Sequence, residues 1–293
     1  MQTYSIRDLE QLSGIKAHTL RIWEQRYSVL SPERSATNIR YYNGEDLKRV
    51  LNISLLNSKG YRISTIAKMD SGEIATLIKN ITDDNSNLEA QQHELIRAMV
   101  ELDEQLFDKV ISSQNLVHGF KATMINLVYP FLKKIGVMWL TGSITPCQEH
   151  FVSNLIRQKL IVAIDGQVVK LNDSSKKVVV FAPEGDYHEL GLLFTHYLLK
   201  LSNHLVIYLG ANTPIAGLNE VVKMHNPSHV FCKMSTGKSG KKNEKYVGDM
   251  VDTFKNSKVF IAGHEARGIK QILTPNFTPI RSLAALMEAT SSV

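Results

Sequence analysis

Three groups of side chains have the types and spacing to do chemistry. The first is Asp186-Tyr187-His188-Glu189-Leu190-Gly191, a D-x-H-x-x-G run shortly after a β-branched segment. A neutral imidazole is the commonest nitrogen donor to transition metals. A carboxylate two residues earlier can hold the other ring nitrogen and fix its tautomer. A glycine three residues later lets a bulky ligand approach the backbone closely. The second group is Trp139, followed after nine residues by Glu149-His150. The third lies near the N-terminus: His18, Thr19, Arg21, Arg26, Arg34, Asn38, Arg40 and Tyr41 suit base edges and phosphates of double-stranded DNA. Each group also has an ordinary reading: a polar surface histidine, a core tryptophan beside a solvated Glu-His pair, and a mixed-charge face.

The distribution of charge favours the nucleic-acid reading of the third group. Of the 293 residues, 1–69 hold 11 Lys/Arg against 6 Asp/Glu, so nearly all of the net +6 lies in the first quarter. A compact basic segment beside a near-neutral bulk is the electrostatic footprint of a polyanion-binding module. The stretch 238–245 is a second basic run, read as a solvated loop. Two cysteines, Cys147 and Cys232, supply neither a disulfide framework nor a multi-cysteine metal site. No apolar run approaches the roughly 18 residues of a membrane span, and Met1 to Arg7 lacks a signal-peptide pattern. The expectation is a cytoplasmic protein with no membrane partner.

The elements that must position these residues change character along the chain. Ser5 is placed to cap a helix carrying Ile6, Leu9 and Leu12, which Gly14 breaks before a second helix over 17–27. Two short helices across a glycine turn form a helix-turn-helix. Ile39 to Tyr42 favours a short strand, hence a wing, and Asn43 or Asp46 starts the next helix. Residues 70–91, polar around Asp83-Asp84-Asn85-Ser86-Asn87, read as a linker. From 92 to 165 the pattern is helical, with Leu95, Met99, Leu102, Leu106 and Val110 as one stripe, predicting a small bundle. After that, apolar runs at 177–182, 205–209, 229–232 and 258–262 alternate with helices, the signature of a parallel sheet covered on both faces. Ligands bind such sheets beyond the carboxyl ends of the strands.

Leu20-Arg21-Ile22-Trp23-Glu24-Gln25-Arg26-Tyr27, with Leu30, Pro32, Arg34, Arg40 and Tyr42, resembles the DNA-binding domain of MerR-family regulators. The D-x-H-x-x-G run resembles the signature of Rossmann-like corrinoid domains, and Leu209 to Pro214 the segment after their second strand. The W-x9-E-H spacing is similar to that of cobalamin-dependent MerR-like repressors, the CarH/LitR photoreceptor group. The resemblance implies a multidomain α and α/β chain: a winged helix-turn-helix over 1–75, a helical bundle over 90–168 and a Rossmann-like (flavodoxin-like) parallel-sheet domain over 175–293. It also implies adenosylcobalamin with His188 on cobalt and Asp186 as its support. Trp139, Glu149 and His150 then line the adenosyl side, and Gly191, Ser235 and Gly263 complete the cofactor-binding set.

Three places depart from the pattern. Lys233-Met234-Ser235-Thr236-Gly237 stands where corrinoid domains carry S-x-L or S-x-T before a helix. Ala262-Gly263 stands where the family carries Gly-Gly, and Leu140 follows Trp139 where the best-understood photoreceptors have a cobalt-binding histidine. The expected function is a transcriptional repressor and not an enzyme, binding operator DNA as a dimer or tetramer under control of adenosylcobalamin and light. Two rivals stand beside it: a MerR-like regulator that ignores cobalamin, and a corrinoid methyl carrier.

Overall fold

A computed structural model describes residues 3–34, 38–82, 87–140, 142–235, 241–263 and 275–293. The chain forms two compact units, Met1–Ser153 and Asn154–Val293. Residues 236–240, which include part of the basic stretch 238–245, lie outside the described residues.

The first unit begins with α1 (Ile6–Ser13), whose start is fixed by a capping box. The Ser5 hydroxyl accepts from the Asp8 N–H, and the Asp8 carboxylate accepts from the Ser5 N–H at 2.7 Å. Gly14, at φ +76°, turns the chain into α2 (Ala17–Tyr27). The wing follows as two antiparallel two-residue strands, β1 (Glu33–Arg34) and β2 (Arg40–Tyr41). A second capping box, Asn43 with Asp46, starts α3 (Gly44–Ser58), which buries Leu47, Val50, Leu51, Leu55 and Leu56 and packs on α1, whose Leu9 and Leu12 are buried; Leu20 and Tyr42 are buried too. The short α4 (Ile63–Ile66) comes next.

The polar segment after residue 70 is helical for most of its length. It forms α5 (Ser71–Thr82), which packs on α3 with Ile74 and Ile78 buried, so the linker reading of 70–91 is corrected there. Residues 83–86 lie outside the described set. The stripe expected through Leu102 is also broken. Leu102 takes a left-handed conformation (φ 55°) and is half exposed, ending α6 (Leu88–Glu101); the Asp103 side chain caps α7 (Glu104–His118). Next come α8 (Phe120–Thr123), one π-turn over Met124–Val128, and α9 (Tyr129–Leu140). Pro130, which has no N–H to give the α-helical ladder, follows that wider turn directly. The long α10 (Pro146–Asp165) opens with proline at its first position, where the missing N–H costs nothing. Within this unit α3 packs on α6 and α1 on α9, so the helix-turn-helix and the bundle helices form one body.

The second unit holds a five-stranded parallel sheet. Its elements in chain order are β3 (Lys177–Pro183), α11 (Leu190–Leu201), β4 (Leu205–Thr213), α12 (Leu218–His225), β5 (His229–Lys233), α13 (Lys241–Thr253), β6 (Lys258–Ala262), β7 (Phe277–Ile280) and α14 (Leu283–Ser291). The strand order is β4-β3-β5-β6-β7, with every pairing parallel. Helices α11 and α14 pack together, as do α12 and α13. Val179, Phe181, Val230, Cys232, Val259 and Ile261 meet Val247, Met250 and Val251 of α13, and Phe254 just beyond it, in one buried cluster. The chain leaves β3 toward α11 and leaves β5 toward α13, so the order reverses between these two strands. This is the switch point at which such sheets hold their ligands.

Candidate functional site

Both strands at the switch point deliver the residues singled out in the sequence. Gly185 (φ +87°) turns the chain after β3, and the Asp186 N–H donates to the Pro183 carbonyl at 3.0 Å. Asp186 is fully buried. One of its oxygens accepts from the His188 N–H at 3.0 Å and sits 2.9 Å from His188 Nδ1. The other accepts from the Ser235 N–H, beyond β5, at 2.5 Å. An ionised carboxylate only accepts, so in the neutral form of the ring Nδ1 carries the proton and Nε2 the lone pair. The His188 side chain is 59% exposed, so this lone pair belongs to a ring open to a ligand. The arrangement suits an axial metal ligand whose partner fixes tautomer and orientation.

Asn212 is a member of this site whose role the sequence did not show. It stands in the left-handed region (φ 55°) after a glycine at φ +82°, a conformation asparagine tolerates. From there its side-chain Oδ1 accepts from the Gly185 N–H at 2.9 Å, and its backbone N–H donates to the Asp186 carbonyl at 3.0 Å. The end of β4 thereby holds the histidine loop from one side. Lys233, the last residue of β5, holds it from another, donating to the His188 carbonyl at 3.2 Å and to Ser235 Oγ at 2.6 Å. Burial pulls the Lys233 ammonium below the usual lysine range, while the Asp186 carboxylate beside it pushes the other way.

The two glycines of the expected cofactor set face this chain's own atoms. A Cβ on Gly191 would lie 2.5 Å from Lys233 Cε, and a Cβ on Gly263 (φ +114°) would overlap the Met234 carbonyl. The close approach read at Gly191 is therefore made, in this structure, by a lysine side chain.

Trp139, Glu149 and His150 belong to the first unit, whereas Asp186, His188, Gly191, Ser235 and Gly263 belong to the second. Trp139 ends α9 with 45% of its surface exposed, and Leu140 is almost fully exposed. In the first turn of α10, Glu149 accepts from Ser153 Oγ at 2.6 Å and stands 3.5 Å from His150 Nε2. His18, Arg21 and Arg26 are exposed on α2, and Arg34 and Asn38 on the wing, where Arg34 donates to the Asn38 side chain at 2.7 Å. Thr19 and Tyr41 are half-buried. Glu24 of α2 accepts from Arg40 Nε at 3.1 Å and from the Tyr42 hydroxyl at 3.2 Å. Arg40 thus ties the wing to α2. Burial, with the Glu24 carboxylate nearby, pushes the Tyr42 hydroxyl up to about 12.

The sequence matches two known families in this order. Residues 4–73 match the MerR HTH family of regulatory proteins, and residues 91–163 match the B12 binding domain. The chain is homologous to the HTH-type transcriptional repressor CarH of Myxococcus xanthus, with 26% identity over 78% of each chain. It is likewise homologous to CarA of the same organism, with 28% identity over 74% of this chain and 71% of that one. The monomethylamine corrinoid protein of Methanosarcina barkeri shares the fold at a TM-score of 0.53, with 15% identity over 68% of this chain and 95% of that one. Among the described residues, no helix is long and apolar enough to cross a membrane.

Proposed function

We propose that this chain is a cobalamin-controlled transcriptional repressor, not an enzyme, acting on operator DNA in the cytoplasm. A MerR-type helix-turn-helix and a B12-binding domain in one chain support the regulator, as do two homologous repressors. The observation that carries the cofactor assignment is the buried Asp186 holding His188 so that Nε2 is free at the switch point of the sheet. His188 would hold the cobalt of bound cobalamin, and Trp139, Glu149 and His150 are the residues that the resemblance assigns to its adenosyl group. Bound adenosylcobalamin would supply a cobalt–carbon bond whose presence or loss distinguishes two states.

The chain's own residues do the rest. Asp186, Asn212 and Ser235 hold the histidine loop before any ligand arrives, so little ordering is left for binding. His18, Thr19, Arg21, Arg26, Arg34, Asn38 and Tyr41 present donors and charge to DNA, with Arg40 fixing the wing. Assembly into a dimer or tetramer on the loaded cofactor would multiply these contacts through effective concentration. Undoing this assembly in the light would then relieve repression.

The test is selection of bound genomic fragments by the purified chain, then titration of the selected site with and without adenosylcobalamin, in the dark and after green light. Tighter binding with cofactor in the dark is the expected result. Equal affinity in all conditions would leave a regulator that does not use cobalamin.

A further inference from the structure

Beside the loop that carries His188, the stem of Lys233 lies against Gly191. In free cobalamin the lower axial position of cobalt is held by the benzimidazole at the end of the nucleotide tail. With His188 Nε2 on cobalt, the base must leave, and the tail has to run down beside the loop that carries the histidine.

Two glycines beyond the carboxyl ends of the strands are closed differently. At Gly263 the space is closed by backbone, the Met234 carbonyl, and the Met234 N–H donates to the Ala262 carbonyl at 2.8 Å. At Gly191 it is closed by a flexible side chain, the stem of Lys233, with Cε and Cδ at 2.5 and 2.8 Å from where a Cβ would be. The Lys233 ammonium is anchored on the His188 carbonyl and Ser235 Oγ. A side chain with four rotatable bonds and two hydrogen bonds can be displaced; two paired backbone segments cannot be displaced without opening the sheet.

We propose that Lys233 is a plug in the tail slot beside Gly191, and that it sets how strongly this chain distinguishes corrinoids with a nucleotide tail from those without one. The inference rests on the cobalamin reading above and adds a specificity-determining residue to it. Admitting the tail requires both Lys233 bonds to break, whereas a tailless corrinoid reaches His188 with the plug in place. Wild-type protein should therefore gain less from the tail than the same site without the plug.

The measurement is an absorption titration of the full chain with hydroxocobalamin and with cobinamide, which has the same ring and no nucleotide. Both ligands share His188 ligation and the ring contacts, and displacing the benzimidazole costs the same in every variant, so the change in the affinity ratio between variants isolates the tail. Lys233→Ala should raise the cobalamin-to-cobinamide ratio by about tenfold, the scale of two modest hydrogen bonds. Lys233→Arg, which keeps stem and charge, should leave it unchanged within about twofold or lower it. If the alanine variant does not fold, Lys233→Met, which keeps the stem but loses both bonds, should raise the ratio by a smaller factor. A ratio that falls in Lys233→Ala would mean that the ammonium holds the tail phosphate, and an unchanged ratio would mean that the tail runs elsewhere. Either result overturns the plug. Failure of wild type to bind either corrinoid would overturn the cobalamin reading itself, and the plug with it.

Discussion

Replacing Asp186 with asparagine would keep the shape of the histidine loop and change its chemistry. An amide has one acceptor oxygen, so it can serve His188 or the Ser235 N–H but not both, and its NH2 would face a donor. The expected cost is about 1–3 kcal/mol of stability in the second unit. Weakening of cobalamin binding by about 10- to 100-fold should accompany it, since the histidine loses the partner that orients it. Thermal melting and an absorption titration read the two effects separately. Unchanged affinity would mean that Asp186 does not set the ligand. Gly263→Ala is a purely structural counterpart. A methyl there meets the Met234 carbonyl at a left-handed φ, so a loss of a few kcal/mol is expected, on the order of 2–3. Denaturant unfolding of the variant checks this.

At the scale of elements, the wing is held to α2 by one carboxylate with two partners. Glu24→Ala would leave the buried Tyr42 hydroxyl without its acceptor and free Arg40. DNA affinity should fall several-fold even though a negative charge has been removed; tighter binding would show that charge outweighs wing placement. Arg21 acts differently. Arg21→Ala should lower affinity across sequences and flatten the salt dependence by about 0.9 in slope if it neutralises one phosphate. A changed base preference with the slope intact would assign it to a base edge.

The elements themselves were legible wherever local chemistry marks their ends. The two capping boxes and Gly14 set the boundaries of α1 to α3 as read from Ser5, Asn43 and Asp46. The signal is masked where a polar neighbourhood or a turn decides. α5 abuts the polar run 83–87, although Ile74, Leu77, Ile78 and Ile81 stand at helical spacing and Ile74 and Ile78 are buried, and the stripe through Leu102 runs across a turn that its left-handed backbone creates. β7 and α14 went unseen because Phe277-Thr278-Pro279-Ile280 is short and contains proline, which a sheet tolerates on an edge strand. At the site, spacing gave Asp186 and His188, but the contributions of Asn212 and Lys233 depend on strands far apart in sequence.

Across the whole molecule, each unit carries histidines that burial keeps neutral. His93 in the first unit and His196 and His229 in the second are each pulled down to about 4, chiefly by burial, with neighbouring lysines adding to it. In the unfolded chain they titrate near 6.5. Between these values the unfolded state binds more protons, so stability rises with pH through that window. It should be complete above pH 6.5 and fall as pH drops toward 4, by at most about 1.4 kcal/mol per pH unit for each histidine. Melting curves at pH 7.5, 5.5 and 4.5 test this. His229→Phe, which keeps the stack on Phe260, should flatten part of the fall.

The account rests on His188 binding cobalt in a chain that also binds DNA. The most direct measurement is an absorption spectrum of wild-type and His188→Ala protein, each incubated with adenosylcobalamin in the dark and then passed over a gel-filtration column. The account expects wild type to retain the corrin with a histidine-ligated spectrum and to elute as a larger species than cofactor-free protein, and His188→Ala to lose that spectrum. Wild type emerging colourless, or His188→Ala with the same spectrum and elution volume as wild type, would contradict it.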